Sequence, residues 1–220
     1  MSTRAGSGPV LVIGGAGRTG RRVVERLRGR DRQVRVLSRR AAPAPGVDTV
    51  RGDLARLEPD VLDGVTGVVV GVEPPYDAAG AQTVLHRGVA DLAQQAAVRT
   101  VPVVLVSQIY VTRPDAYPAM RDVAVARWRG EQALRAAGGP YVVVRPGWLT
   151  DEPADGVRLE QGDTGEGRVS RDAVADACVH ALDLPAPRLT FEVFDARRGP
   201  ADWPGLLAAL PADPEPSRAR

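Results

Sequence analysis

The amino-acid sequence predicts an α/β fold, with a doubly wound parallel β-sheet formed by one domain that spans residues 1–220. Two features of the pattern predict this class. Short apolar runs, almost uninterrupted by polar residues, are typical of parallel strands that are covered on both faces. These runs alternate along the chain with longer segments whose apolar residues recur at helical spacing. Alternating strands and helices build a parallel sheet with helices on both of its faces.

The first strand and helix are joined by a glycine-rich turn. The apolar run 10–13 leads into residues 14–20, and a helical pattern carrying Val23, Val24 and Leu27 follows. Glycine lets the backbone approach a diphosphate closely, and the first turn of a helix presents N–H groups to it. The sequence therefore predicts a nucleotide-binding loop, the alternative being a tight turn in an ordinary α/β unit. The candidate binding residues are Gly14, Gly15, Ala16, Gly17, Arg18, Thr19 and Gly20.

The end of the second strand bears on the choice of nucleotide. The strand 33–37 is followed by Ser38, Arg39 and Arg40, at the place where NAD-binding proteins have an acidic residue for the ribose hydroxyls. No carboxylate stands there to repel a 2′-phosphate, and arginine binds phosphate with paired hydrogen bonds. The sequence therefore favours NADP(H) over NAD(H). The alternative is that two adjacent arginines at a strand end are simply solvated.

Further elements follow in regular alternation. The sequence predicts strands over residues 47–54, 64–72, 101–106, 141–144 and 191–194, and helices over 79–98, 120–137 and from 170–172 onward. Residues 150–169 are polar and glycine-rich, and they are predicted to form a loop, at most with a short hairpin, over the substrate side. Residues 1–8 and the proline- and charge-rich residues 211–220 are predicted to be disordered.

Composition narrows the classes of function. The 220 residues are 44% hydrophobic and carry a net charge of only +2, with few aromatic residues to stack on bases, which argues against nucleic acid as a partner. The apolar run near the N-terminus is too short for a signal peptide or a membrane span, so a cytoplasmic protein is expected, without a membrane partner. All 29 basic residues are arginine, which excludes any mechanism that needs a lysine. The single cysteine, Cys178, is predicted to be buried in a helix.

Several motifs between residues 9 and 194 carry a family resemblance. They are Gly14-x-x-Gly17-x-x-Gly20, Gly52-Asp53-Leu54, the strand that ends on Ser107, Arg129-Gly130-Glu131 with Leu134-Arg135, Val144 through Leu149, and Arg168 through Ala175. Together they resemble the atypical short-chain dehydrogenase/reductases, in particular the NAD(P)H-binding group of biliverdin and flavin reductases, quinone reductases and redox sensors of the nitrogen-metabolite-repression type. The resemblance implies a Rossmann fold.

The resemblance also implies where the coenzyme lies. In this group Arg18 and Thr19 would border the phosphates, Asp53 would meet the adenine, and the nicotinamide would lie near the turn after the sixth strand. The sites fall at the carboxyl ends of strands, where open α/β sheets bind their ligands. The further cofactor-binding candidates are Leu54, Gly71, Val72, Ser107, Arg127, Pro146 and Gly147.

One departure from the family concerns catalysis. Short-chain dehydrogenases use a tyrosine one helical turn before a lysine, and the lysine lowers the pKa of the phenol so that it exchanges a proton with the substrate. Arg127 stands at the lysine position and Val123 at the tyrosine position. The usual acid/base pair is therefore absent. Arg127 could hydrogen-bond a ribose or polarise a substrate oxygen, or it could be an ordinary surface arginine of the helix.

The remaining candidates for chemistry lie at and after the fifth strand. Ser107 ends that strand, where its hydroxyl would face the nicotinamide and hold a substrate oxygen. Tyr110 and Tyr117 follow, and either phenol could supply a proton if its pKa were tuned, although both could simply line the site. The two histidines, His86 and His180, have no partners at metal-ligand spacing, so no metal site is predicted.

These observations lead to one main hypothesis and two alternatives. The main one is an NADPH-dependent oxidoreductase that delivers hydride to a conjugated carbonyl, a quinone or a similar small acceptor, whose reduced form needs little help from an acid/base pair. The alternatives are a non-catalytic NADP-binding redox sensor and a redox-neutral epimerase or isomerase of a biosynthetic pathway. The sequence leaves open whether the protein is a monomer or a homodimer.

Overall fold

A computed structural model describes residues 8–39, 46–73, 77–197 and 199–214 of the chain. Its main feature is an eight-stranded sheet, formed by β1 Val10–Ile13, β2 Val34–Ser38, β3 Asp48–Arg51, β4 Gly67–Val70, β5 Val103–Val106, β6 Tyr141–Pro146, β8 Val157–Glu160 and β10 Arg188–Asp195. The strand order is β3-β2-β1-β4-β5-β6-β10-β8. All neighbouring strands of this sheet are parallel except β8, which runs antiparallel to β10. The predicted doubly wound parallel sheet is confirmed.

The helices flank this sheet, and a pair of short strands lies beside it. The two short strands, β7 Trp148–Thr150 and β9 Arg168–Ser170, pair in parallel. Ser170 also caps the following helix, because its side chain accepts a hydrogen bond from the Asp172 N–H. The helices are α1 Arg18–Gly29, α2 Ala78–Ala81, α3 Val89–Val98, α4 Arg121–Ala136, α5 Arg171–Ala181 and α6 Trp203–Ala208.

The sheet divides the apolar core into two layers. Val10 and Val12 of β1 pack with α1 and α5 on one face, while Leu11 and Ile13 pack with α3 and α4 on the other. Both sets are buried because consecutive side chains of a strand point to opposite faces and helices cover both. Cys178 of α5 lies in the first layer and is buried as predicted.

The helix predicted over residues 79–98 is interrupted by a π-helical stretch, Gln82–Gly88, between α2 and α3. Two close approaches of backbone accompany it. A Cβ on Gly88 would collide with the carbonyl oxygen of Leu54, and a Cβ on Gly130 of α4 would collide with that of Leu85. The π-helical stretch therefore lies where this segment packs tightly against α4 and against the turn after β3.

Residues 150–169 are more regular than the sequence predicts. The expected loop contains β8, which joins the main sheet by pairing with β10, and most of β9. β10 itself is longer than the sequence predicts, because it begins at Arg188 rather than at residue 191 and its first part pairs with β6. β8 and β9 have only four and three residues and lie within a polar, glycine-rich segment, so no local pattern marks them as strands.

Two residues within the chain ends that the sequence predicts to be disordered make hydrogen bonds to the sheet or to the loop before β4. The carboxylate of Asp213 accepts hydrogen bonds from the hydroxyls of Tyr141 and Thr190, at 2.9 and 2.6 Å. At the other end, the carbonyl oxygen of Gly8 accepts one from Thr66. These contacts are long-range and leave no trace in local composition. Residues 1–7 and 215–220 lie outside the described residues.

Candidate cofactor site and active site

The glycine-rich loop between β1 and α1 folds tightly upon itself. The Gly17 N–H donates to the carbonyl oxygen of Gly14 at 2.9 Å, and a Cβ on Gly20 would collide with that same carbonyl group. Gly14 has a φ of +88°, and a Cβ there would collide with the carbonyl oxygen of Gly71. Side chains other than hydrogen are therefore excluded at Gly14 and Gly20. A Cβ on Gly15 would come within 2.9 Å of the Val36 side chain on β2, a contact with a side chain rather than with backbone.

The outer surface of this loop suits an anionic ligand. Ala16, Gly17 and Arg18 are exposed, and Thr19 is half-buried. Helix α1 begins at Arg18 with Gly17 as its N-cap, and Gly17 has no side chain with which to accept hydrogen bonds from the first turn. The N–H groups of that turn and the positive end of the helix dipole consequently face outward. A diphosphate fits this arrangement, and the residues that would hold it are those of the loop itself.

Gly71 and Val72 follow β4, the neighbour of β1 in the sheet. No described atom lies within 4 Å of the position that a Cβ on Gly71 would take, so the space beside this residue is open. Val72 next to it is half-buried. That the two residues line a coenzyme groove stays a prediction.

The residues predicted to bind the adenosine half of the coenzyme lie at the carboxyl ends of β2 and β3. Ser38 is the last residue of β2, and the following Arg39 is exposed. Asp53 is half-buried and its carboxylate accepts a hydrogen bond from the Ala55 N–H at 3.0 Å. The Leu54 side chain is only 2% exposed and packs in the core, so this residue could contact a ligand through its backbone alone. Arg40, the second arginine of the sequence argument, lies outside the described residues.

Ser107 and Arg127 meet at the carboxyl end of β5. The Arg127 guanidinium donates to the carbonyl oxygens of Val106, at 2.8 Å, and Val72, at 3.3 Å. Both side chains face a small cavity of about 10 Å³. It is lined by Val72, Leu85, Val89, Leu105, Ser107 and Arg127.

Two buried polar atoms of this cavity lack partners. Neither the Ser107 hydroxyl oxygen nor the Arg127 Nε has a hydrogen-bond partner among the described residues. Burial lowers the pKa of Arg127 to about 10, although the nearby carboxylate of Glu131 opposes the shift. Unpartnered buried groups are costly, and such groups occur where a ligand completes the hydrogen bonding. Arg127 is therefore not a surface arginine.

Tyr110 is held by residues that the sequence did not single out. Its backbone has a φ of +68°, and its N–H donates to the buried carboxylate of Asp163 at 2.7 Å. Its hydroxyl donates to Glu166 at 2.9 Å. Burial and Glu166 together raise the pKa of the phenol. This direction is opposite to the one that a proton-donating tyrosine of this fold needs, which argues against Tyr110 as the acid.

Tyr110 instead belongs to an aromatic cluster with Tyr117 and Trp148. Ring centroids lie 6.3 Å apart for Tyr110 and Tyr117, 6.1 Å for Tyr110 and Trp148, and 5.0 Å for Tyr117 and Trp148. Tyr117 and Trp148 are each 41% exposed. Trp148 lies within the Val144–Leu149 motif, but a motif alone does not show which way an indole faces, so the sequence does not identify it as a site residue.

Pro146 and Gly147 form the turn between β6 and β7 beside this cluster. The carbonyl oxygen of Pro146 accepts a hydrogen bond from the Ile109 N–H at 3.3 Å, which ties the turn to the loop after β5. A Cβ on Gly147 would collide with the carbonyl oxygen of Gly167. The turn therefore brings the loop after β5 and the segment before β9 together, and with them Ser107, Tyr110 and Trp148.

Two further searches of the described residues give negative results. No cluster of three or more histidine, cysteine or acidic side chains is placed to hold a metal ion within the ranges that the structure covers. In the same part of the chain, none of the helices combines the length and apolar character needed to cross a bilayer.

Comparisons with known proteins agree with this geometry. An uncharacterised chloroplastic protein of Arabidopsis thaliana is 31% identical over 200 residues, which cover 79% of this chain and 71% of the plant protein. The structure resembles a Bacillus halodurans protein assigned as an NAD-dependent epimerase/dehydratase, with a TM-score of 0.79, 23% identity and coverage of 87% and 96% of the two chains. It also resembles an anaerobilin reductase from Escherichia coli O157:H7, with a TM-score of 0.70, 21% identity and coverage of 88% and 100%.

The two structural likenesses fall below 25% identity and show a common fold. The sequence comparison goes further, because a model of a family described as NAD(P)H-binding matches residues 14–185. This range starts in the glycine-rich loop and extends past α5, so it includes Ser107, Arg127 and the aromatic cluster. The chain belongs to the NAD(P)H-binding family.

Proposed function

We propose that this protein is an NADPH-dependent oxidoreductase that reduces a conjugated carbonyl, a quinone or a similar planar acceptor. The observation that carries the proposal is the pair of unpartnered buried groups, the Ser107 hydroxyl and the Arg127 Nε, in the cavity at the carboxyl end of β5. A hydroxyl donor and a cation beside one cavity suit an oxygen atom that gains negative charge during reduction.

NADPH, when bound along the groove from Gly14 to Gly71, supplies the hydride. The Ser107 hydroxyl donates a hydrogen bond to the acceptor oxygen, and the Arg127 cation stabilises the negative charge that develops there. Tyr110 takes no part in proton transfer, because its hydroxyl is held by Glu166 and its pKa is raised. Water supplies the proton. This arrangement serves acceptors whose reduced form is already stabilised by conjugation, and it serves simple ketones poorly.

The exposed faces of Tyr117 and Trp148 support a planar acceptor. Aromatic side chains bind flat conjugated molecules by stacking and by burial of apolar area. Both rings lie in a cluster that includes Tyr110, three residues after Ser107, and Trp148 directly follows Gly147 at the end of β6. An acceptor stacked on this surface would reach toward Ser107.

The preference for NADPH over NADH is a separate part of the proposal. It rests on Arg39, which is exposed at the end of β2, and on the absence of an acidic residue from that strand end. Replacing Arg39 with alanine is expected to abolish the preference, measured as the ratio of the two dissociation constants. Arg21→Ala removes one exposed cation from the outer face of α1 and serves as the control for net charge. A preference that survives in the Arg39 variant contradicts this assignment.

The test of the activity is a set of NADPH oxidation assays with quinones, flavins, enones and simple ketones, followed by absorbance of the reduced nicotinamide. Turnover of the conjugated acceptors is expected. Ser107→Ala is expected to lower kcat/KM by ~10²-fold, the effect of one hydrogen bond to a developing oxyanion. Ser170→Ala is the matched control, because Ser170 is also buried but caps α5, so it should lower stability and leave kcat/KM unchanged.

The outcomes separate the three hypotheses. Binding of NADPH without oxidation of it by any acceptor contradicts the proposal and supports a redox sensor. Conversion of a substrate without net oxidation of the coenzyme also contradicts it and supports an epimerase or isomerase.

A further inference from the structure

Three arginine side chains meet one carboxylate beside the glycine-rich loop. Asp151 is contacted by Nη2 of Arg22 at 3.1 Å, by Nη1 of Arg171 at 3.2 Å and by Nη1 of Arg18 at 3.8 Å. Arg22 also donates to Asp172, which pairs with Arg26 as well, and Arg26 in turn pairs with Asp176, so three carboxylates share four cations here. The cluster therefore keeps an excess of one positive charge.

The positions of these residues connect two parts of the site. Arg18 is the first residue of α1 and directly follows the loop, while Arg171 is the first residue of α5. Asp151 directly follows β7, the strand that carries Trp148. A single carboxylate thus ties the start of the phosphate-binding helix to the segment that bears the aromatic surface.

The three cations are not held equally. The Arg171 side chain is 8% exposed and remains fixed beside Asp151, whereas that of Arg18 is 60% exposed and makes the longest of the three contacts. A long contact between exposed groups contributes little to stability. Arg18 can therefore leave Asp151 for another anion at small cost.

A coenzyme diphosphate at the start of α1 would be such an anion. It carries the same sign of charge as Asp151 and prefers the same guanidinium donors. Asp151 would both repel it and compete with it for Arg18. Removing the negative charge of Asp151 would leave three cations and the positive end of the α1 dipole for the phosphates.

We propose that Asp151 is an internal competitor of the coenzyme diphosphate, and that it sets the affinity for the coenzyme by holding Arg18 and Arg22. The inference rests on the proposed coenzyme position at the glycine-rich loop. Its consequence is that the wild-type protein binds the coenzyme more weakly than its own cationic side chains permit. Product coenzyme then leaves more readily than it would from a site without this carboxylate.

The test is the dissociation constant of NADP⁺ measured by calorimetry for three variants at several salt concentrations. Asp151→Asn is expected to lower the Kd by about three- to ten-fold, and to make it more sensitive to salt. Asp151→Glu keeps the charge and is expected to stay near the wild-type value. Asp176→Asn removes another carboxylate of the α1–α5 contact, the partner of Arg26, with the same change in net charge, and is expected to leave the Kd unchanged.

The melting temperature of each variant accompanies the titrations. Asp151 is half-exposed, so the asparagine variant should fold. A Kd that is unchanged or higher in Asp151→Asn overturns the inference, as does an equal decrease in Asp176→Asn. Absence of any binding by the wild-type protein is a different result, because it overturns the proposed function itself.

Discussion

Arg127, which is half-buried, and Arg145, which is buried, both lie near Glu131 but have different surroundings. Arg145 binds Glu131 through both Nε, at 3.1 Å, and Nη2, at 2.7 Å, and it binds Glu192 through Nη1 at 3.1 Å. Arg127 binds only two backbone carbonyl oxygens and keeps an Nε without a partner among the described residues. Both guanidinium groups leave water on folding, but only that of Arg145 finds carboxylates.

The pKa values reflect this difference. Burial alone would lower the pKa of Arg145, but hydrogen bonds and charge from Glu131, together with Glu192, raise it above its usual range. For Arg127 burial dominates, and the pKa falls to about 10. The comparison teaches that a buried guanidinium paired with carboxylates stabilises the fold. A guanidinium that has an unpaired N–H beside a cavity can still donate a hydrogen bond to a ligand.

The largest expected effect is a loss of stability when Arg145 loses the charge of Glu131. Glu131→Gln keeps the shape of the side chain but removes one of the two carboxylates that compensate Arg145, and Glu131 also binds Arg135 at 3.2 Å. The free energy of unfolding is expected to fall by about 3 kcal/mol, the lower end of the cost of breaking a buried ion pair, because Glu192 stays beside Arg145. Urea denaturation measures it. A loss below about 1 kcal/mol would mean that Arg145 is not dependent on Glu131.

Arg127→Met tests whether the second arginine acts in catalysis rather than in stabilising the fold. It leaves the carbonyl oxygens of Val106 and Val72 without a donor, so the free energy of unfolding should fall by only about 1–2 kcal/mol. If Arg127 stabilises charge on the acceptor, kcat should fall by ~10- to 100-fold with a smaller change in the Kd of NADPH. Steady-state kinetics and urea denaturation on the same sample measure both. A variant with the kcat of the wild-type protein would mean that Arg127 has only a structural role.

Replacing Tyr141, a buried residue of β6, is expected to have a smaller effect on stability. Its hydroxyl donates to Asp213, and burial with this contact raises its pKa to about 12. A raised pKa stabilises the folded protein below the ordinary value of about 10, and this contribution is lost as pH rises toward 12. Tyr141→Phe should cost about 1 kcal/mol at pH 8 and should lose less stability than wild type between pH 10 and 12. Denaturation across this range measures the difference, and parallel pH profiles for the two proteins would refute it.

The sequence was sufficient where the structure depends on local backbone. The strand, glycine loop and helix from Val10 to Gly29 were predictable, because glycine at positions such as Gly14 and Gly20 is required by contacts within the unit and with the next strand. The apolar strands of the sheet were predictable for a similar reason, since burial on both faces leaves a continuous hydrophobic run.

The sequence was insufficient where the site depends on distant partners. Asp163 binds the backbone of Tyr110 and Thr112 across 53 and 51 residues, and neither segment carries a local signal of this contact. The burial of Arg127 was also unpredictable, because it lies in a charged stretch of α4 that is typical of a solvated helix face. Its environment is set by β4 and β5, whose spacing from α4 no sequence pattern gives.

The central claim is that the coenzyme lies along the groove from Gly14 to Ser107 with its nicotinamide at the cavity. A crystal structure of the protein with bound NADP⁺ tests this claim most directly. The account predicts the diphosphate on the N–H groups of the glycine-rich loop, and the hydride-accepting carbon of the nicotinamide beside the Ser107 hydroxyl, with room for an acceptor atom at about 3–3.5 Å from that carbon. A nicotinamide that lies away from Ser107 and Arg127, or a diphosphate bound elsewhere than at the start of α1, would contradict it.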